Sequence, residues 1–129
     1  MPGEINMKFF KCAKCGKIAV LLKESACGTF CCGEEMAELK PGTTDASAEK
    51  HVPVLSADKN TVKVTVGSVA HPMEEKHFIE WIALETSQGV QIKYLKPEQA
   101  PQALFALADG ETAVKAYAWC NLHGLWASN

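Results

Sequence analysis

Long apolar runs are missing from this sequence. No stretch approaches the roughly 20 residues that a membrane-spanning helix requires, and Met1 to Asn6 is too short and too polar to open a secretory signal. The cytoplasm is therefore the expected compartment. An excess of charge of either sign is missing too: 13 basic side chains face 15 acidic ones, for a formal net charge of -2. That balance argues against nucleic acid or another polyanion as a partner. Internal repeats and low-complexity tracts are also absent, so neither a repeat array nor a disordered region is expected. What remains is the composition of a globular protein, 129 residues with 47% hydrophobic and 22% charged side chains, enough for one domain or two small ones.

Cysteine is the exception to this ordinary composition. Six cysteines would suit disulfides in a secreted mini-protein, but without a signal sequence the reducing cytosol makes metal ligation the better reading. Their placement is uneven, with five of them ahead of a turn-rich stretch, Lys40-Pro41-Gly42-Thr43-Thr44-Asp45. Glycine and proline there mark a boundary near residues 40–48, dividing a cysteine-dense head (1–40) from a longer body (41–129). In the head, Lys8 to Lys11 and Ile18 to Lys23 read as short strands flanking a Cys-x-x-Cys turn. In the body, Val62, Val64 and Val66 alternate with polar residues, as do Val90, Ile92 and Tyr94, which is the period of half-buried strands. Val52 to Leu55, Phe78 to Glu85, Ala103 to Ala108 and Ala113 to Trp119 are further strand candidates, with turns at Ser87-Gln88-Gly89 and Asp109-Gly110. Ile79, Ile82 and Ala83 also fit a helical stripe, yet strand is the assignment for that segment. Short strands at this spacing predict an antiparallel sandwich or barrel, so the chain is expected to be mainly β.

Cys12 and Cys15 enclose two residues, and after a gap that a hairpin would fill come the adjacent Cys31 and Cys32. Four thiolates suit one tetrahedral ion, and spacing alone leaves zinc and iron open. An adjacent pair must splay two neighbouring side chains toward one ion and should distort the tetrahedron. Cys27 falls outside this pattern and reads as a small, ordinary thiol.

All four histidines, His51, His71, His77 and His123, lie in loop-like settings in the body, and Cys120-Asn121-Leu122-His123-Gly124 places a thiolate three residues before an imidazole. A nucleophilic cysteine with its base, a catalytic zinc and an iron site compete for this set. The first would leave three histidines without a role. Zinc takes about four ligands, fewer than the five available here, whereas iron accepts five and keeps a sixth position open.

The residues around these ligands carry a family resemblance. Cys12-Ala13-Lys14-Cys15-Gly16 and Cys31-Cys32-Gly33-Glu34-Glu35-Met36 resemble desulforedoxin and the head of desulfoferrodoxin. Glu49-Lys50-His51-Val52-Pro53, the run from Val66 through His71-Pro72-Met73 to His77, and Cys120 to Gly124 resemble superoxide reductases. The resemblance implies a desulforedoxin-like head joined to an immunoglobulin-like, seven-stranded antiparallel β-sandwich. It implies two mononuclear irons per chain, one held by Cys12, Cys15, Cys31 and Cys32, the other by His51, His71, His77 and His123 with Cys120 as axial thiolate. It also implies reduction of superoxide to hydrogen peroxide, with Glu49 occupying the sixth position in the ferric state and Lys50 as the cation beside it. A small electron carrier such as rubredoxin and a homodimer complete what it implies. The competing readings are a non-catalytic iron electron-transfer protein and a zinc-stabilised interaction module, in either of which Glu49 and Lys50 form a solvated charge pair.

Overall fold

The structure, a computed structural model, describes residues 7–42 and 46–129. Thr43, Thr44 and Asp45 of the expected boundary turn lie outside the described residues. Two compact units are present, divided between Lys40 and Pro41.

In the head, β1 (Phe9–Lys11) and β2 (Ile18–Val20) pair antiparallel around the Cys-x-x-Cys turn. β3 (Phe30–Cys31) and β4 (Glu34–Glu35) form a small hairpin, and β5 (Ala37–Glu38) adds to the other side of β1. The gap between Cys15 and Cys31 holds no hairpin of its own, contrary to expectation. It contains β2 and then irregular backbone over residues 21–29, because β2 takes β1 as its partner. Met7, Phe9, Cys12 and Met36 are the buried apolar residues of this unit. So small a core calls for a staple.

The body opens with a single helical turn, α1 (Ala48–His51), followed by β6 (Pro53–Asp58), β7 (Thr61–Val66), β8 (Ile79–Thr86), β9 (Gly89–Tyr94), β10 (Gln102–Ala106), β11 (Ala113–Cys120) and β12 (Gly124–Ala127). These seven strands make two antiparallel sheets, ordered β10-β7-β6 and β12-β11-β8-β9, the expected mainly-β sandwich. Val62, Val64 and Val66 of β7 point inward with Phe105 of β10, and meet Ile79, Ile82 and Leu84 of β8 and Ala118 and Cys120 of β11. Each fully buried aliphatic or phenyl side chain contributes about 1.5–3 kcal/mol.

β8 is a strand, as assigned, and its helix-like stripe has a local cause. Trp119 pairs with Trp81 but Cys120 pairs with Ile79, so Glu80 is an extra residue in the ladder. That bulge changes the alternation, which lets Ile79 face the same core as Ile82 and Leu84.

Register also decides where the body's chemistry gathers. Pro53 pairs with Val66, and Ile79 with Cys120. The residues just beyond these pairs, namely α1, the connection over residues 67–78 and the turn after β11, are therefore held beside the ends of ordered strands. No helix among the described residues is long and apolar enough to cross a membrane.

Candidate metal centres

In the head, the donor sulfurs of Cys12, Cys15, Cys31 and Cys32 all lie within 4.8 Å of one another. The adjacent pair is splayed by a two-residue hairpin turn. Cys31 ends β3, whereas Cys32 (φ 54°) and Gly33 (φ 77°) are both left-handed, the backbone that a tight primed hairpin turn requires. Cys15 Sγ and Cys31 Sγ are 3.7 Å apart, and Cys31 Sγ and Cys32 Sγ 3.9 Å. An ion bound tetrahedrally by thiolates at about 2.3 Å would space them about 3.8 Å apart, so these two edges are regular. The Cys12 thiol is brought down to about 6, chiefly by the backbone N–H of Cys15. Cys32 is pushed up to about 12, first by its side-chain interaction with Cys12 and then by those with Cys15 and Cys31. The Cys12 thiolate forms readily while Cys31, raised chiefly by its interaction with Cys15, and Cys32 resist a second like charge, which is the situation a bound cation relieves. Cys27 is exposed and free, outside this set.

In the body, three pieces of backbone present the four imidazoles: α1 carries His51, the connection over residues 67–78 carries His71 and His77, and the turn after β11 carries His123. His51 ends α1 rather than lying in a loop, and is buried. Its Nδ1 lies 2.6 Å from the Ser47 carbonyl oxygen, and His71 Nδ1 lies 2.6 Å from that of Pro72. A carbonyl only accepts, so both Nδ1 atoms carry the proton and both Nε2 atoms present a bare lone pair. Those two Nε2 atoms face each other at 3.1 Å, and His51 Nε2 is also 3.1 Å from His123 Nδ1. The His77 Nε2 is buried with no hydrogen-bond partner.

The four rings follow one another in a closed cycle, His51 to His71 to His77 to His123. Their centroids are 4.6, 4.8, 5.1 and 5.0 Å apart, and each ring stands 79–83° to the next. Cys120 Sγ completes the set, 4.0 Å from His123 Nδ1 and within 4.8 Å of the donor nitrogens of His51, His71 and His77. Lone pairs converging without a proton between them repel, and a cation at the centre turns the repulsion into ligation. Donors bound about 2.1 Å from one ion at right angles lie about 3.0 Å apart, which matches the two 3.1 Å contacts. The residues present therefore fit a five-donor metal centre.

The electrostatics keep the donors ready. Burial lowers His51 and His77 and brings His71 down to about 4, so these imidazoles are neutral near pH 7. Burial pushes the Cys120 thiol up, and the backbone N–H groups of Leu122 and His123 oppose this by favouring the thiolate. The positive charge of Lys50 lowers both His51 and His77, so its field reaches the ring of imidazoles. The Glu49 side chain is exposed. Its carbonyl is held by Val69 N–H at 2.9 Å and by the Ser68 hydroxyl at 3.2 Å.

Three supporting residues carried no spacing signal in the sequence. The Trp126 ring lies 4.9 Å from that of His51, and its Nε1–H donates to the His123 carbonyl at 3.0 Å, so one indole braces two candidate ligands. Gly67 sits against the backbone of α1. Asn121 bonds to the backbone on both sides of His77.

Residues 43–129 match the Desulfoferrodoxin family model. The chain is 47% identical over 126 residues to desulfoferrodoxin from Nitratidesulfovibrio vulgaris, covering 98% of this chain and 97% of that protein. It is 46% identical over 123 residues to desulfoferrodoxin from Syntrophotalea carbinolica, covering 95% and 96%. Among solved structures, the superoxide reductase from Treponema pallidum aligns with a TM-score of 0.82 and 37% identity over 97% of this chain and 100% of that one. With two donor sets of the expected kinds and likenesses of this extent, the chain belongs to the desulfoferrodoxin family.

Proposed function

We propose that the protein is a superoxide reductase, in which residues 1–40 form an iron-binding head and residues 41–129 carry the reaction. The observation that supports this most strongly is the closed cycle of four imidazoles with one buried thiolate. Five donors leave one position of an octahedral ion open, as the reduction of a small anion requires. Superoxide takes up one electron and two protons to become hydrogen peroxide, and ferrous iron held here would supply the electron. His51, His71, His77 and His123 would hold that iron with Cys120.

The chain's own residues supply the rest. Ser47 and Pro72 carbonyls fix the rings of His51 and His71 with Nε2 inward, the role that supporting hydrogen bonds play in metal sites. Cys120, fully buried and so shielded from water, would lend electron density to the ion. Lys50, exposed on α1, draws the anionic substrate toward the imidazoles and orders the water that delivers protons. Glu49, its neighbour, would supply a carboxylate to the open position once the product has left. In the head, Cys12, Cys15, Cys31 and Cys32 would hold the second iron. The electron is returned by a small carrier such as rubredoxin, and the protein works as a cytoplasmic homodimer. These last assignments rest on the family resemblance.

Replacing Cys120 with serine tests the reading. The ferric thiolate absorption of the body site should vanish and turnover should fail even where iron stays bound. An unchanged spectrum and rate in Cys120→Ser would overturn it.

A further inference from the structure

His77 is the imidazole with the weakest anchorage of its own. His51 and His71 are each fixed by a carbonyl on Nδ1, and His123 leads directly into β12 with its carbonyl tied to Trp126. The His77 ring has no comparable carbonyl anchor among the described residues, and its Nε2 has no partner. What holds it must act through the backbone.

That backbone is paired with Glu74, His77 N–H donating to the Glu74 carbonyl at 3.0 Å and Glu74 N–H to the His77 carbonyl at 2.9 Å. One side chain ties the peptide groups on either side of His77 to the segment that carries Cys120. Asn121 Nδ2–H donates to the Lys76 carbonyl at 2.9 Å, and its Oδ1 accepts from the Phe78 N–H at 3.0 Å. The amide thus spans His77, using both of its faces on the peptide groups either side of it. Asn121 N–H adds a third bond, to the Phe78 carbonyl at 3.3 Å. In sequence Asn121 directly follows Cys120, so the residue that grips the His77 segment is joined by one peptide bond to the thiolate donor. An Asn or Gln amide offers a donor and an acceptor side by side on one planar group. Gln would place them one carbon further from the backbone that has to be reached.

We propose that Asn121 is a positioning residue that couples His77 to Cys120, so that one imidazole and the thiolate move as a single unit and the gap between them stays sized for the metal. The inference rests on the reading of the five donors as an iron site. Partners that orient metal ligands are typically worth about 10- to 100-fold in metal affinity, and loss of the amide should fall in that range.

The test uses full-length, iron-loaded protein and follows iron loss to a ferrous chelator together with the thiolate-to-iron absorption after oxidation. Asn121→Ala should release the body iron about 10- to 100-fold faster than wild type, with a shifted or broadened absorption, while the head iron leaves at the wild-type rate. Asn121→Asp keeps an acceptor for the Phe78 N–H but sets a carboxylate oxygen against the Lys76 carbonyl in place of the donor, and should also release the body iron faster than wild type. Wild-type release and absorption in Asn121→Ala would overturn the inference. Should the Ala protein fail to fold, judged by its far-ultraviolet spectrum, Asn121→Asp decides alone: faster release supports the coupling and wild-type release overturns it. A wild-type body unit that holds no iron would instead overturn the site reading, and this inference with it.

Discussion

Gly67 lies where the chain leaves β7, and the space for even one added methyl group is already taken. A Cβ built there would stand 2.6 Å from the Glu49 carbonyl oxygen and 3.0 Å from both the Lys50 carbonyl carbon and the Val52 carbonyl oxygen. Ordinary contact begins near 3.4 Å, so the first approach is short by about 0.8 Å. All three atoms are backbone, and none can rotate away. Gly67→Ala must therefore displace α1, and with it His51, or displace the start of the connection that leads to His71. Overpacking of this kind costs about 1–3 kcal/mol. For a domain the size of the body each kcal/mol lowers the midpoint by about 4–8 °C, so a fall of roughly 5–20 °C is expected. Misplacing one donor by a substantial fraction of an ångström should also weaken iron binding in the body by about 10-fold or more. Gly89→Ala is the control, since its added Cβ meets nothing within 4 Å and should stay within about 0.5 kcal/mol of wild type. Thermal unfolding of the metal-free and iron-loaded forms, with iron release to a chelator, reads both effects. If Gly67→Ala unfolded at the same temperature as Gly89→Ala and kept its iron equally well, the reasoning from this contact would be wrong.

Other consequences follow from the two donor sets and their charges. Cys31→Ser should lose the head iron yet leave superoxide reduction largely intact; a variant that kept both irons but lost the reaction would refute the division of labour. Lys50→Ala should react with superoxide about 10-fold more slowly, at the low end of electrostatic steering. Its rate should also depend less on added salt, because exposed charges are screened over about 8–10 Å; an unchanged rate and salt slope would leave Lys50 an ordinary solvated side chain. In metal-free protein His51, His71 and His77 titrate below their ordinary value of 6.5, so the unfolded chain binds more protons than the folded one on the acid side. Their contribution to stability is complete above pH 6.5 and should be lost as pH falls from there toward about 4, the His71 value. A metal-free melting temperature that stayed flat across that window would contradict the burial of these rings.

Much of this architecture was legible because its pattern repeats. Val62, Val64 and Val66 alternate in sequence and all face the core, since each needed only to occupy every second position of a strand. The Cys-x-x-Cys turn and the Cys120/His123 spacing were equally readable, as both ligands in each pair sit within one tight turn. Segments without repetition were not. β3, β4 and β5 are two residues each, a single period of a strand with no repetition to recognise, and were missed, as was β12. α1 is a single turn and its His51 was read as a loop residue. The bulge at Glu80 disguised the alternation of β8. Supporting contacts were the least visible, because Trp126, Gly67 and Asn121 act on residues brought near by folding. Asn121 contacts the backbone 43 and 45 positions away, and no local spacing encodes that.

The most direct test of the central claim is a single pulse of superoxide delivered to the fully reduced, iron-loaded protein, with the body iron, hydrogen peroxide and oxygen followed together. Reduction predicts rapid oxidation of the body iron, appearance of its ferric thiolate absorption, one hydrogen peroxide for each superoxide consumed and no evolved oxygen. Oxygen released alongside peroxide would mean dismutation, and a body iron that stayed ferrous while superoxide decayed unaided would mean an electron carrier; either result would contradict the assignment.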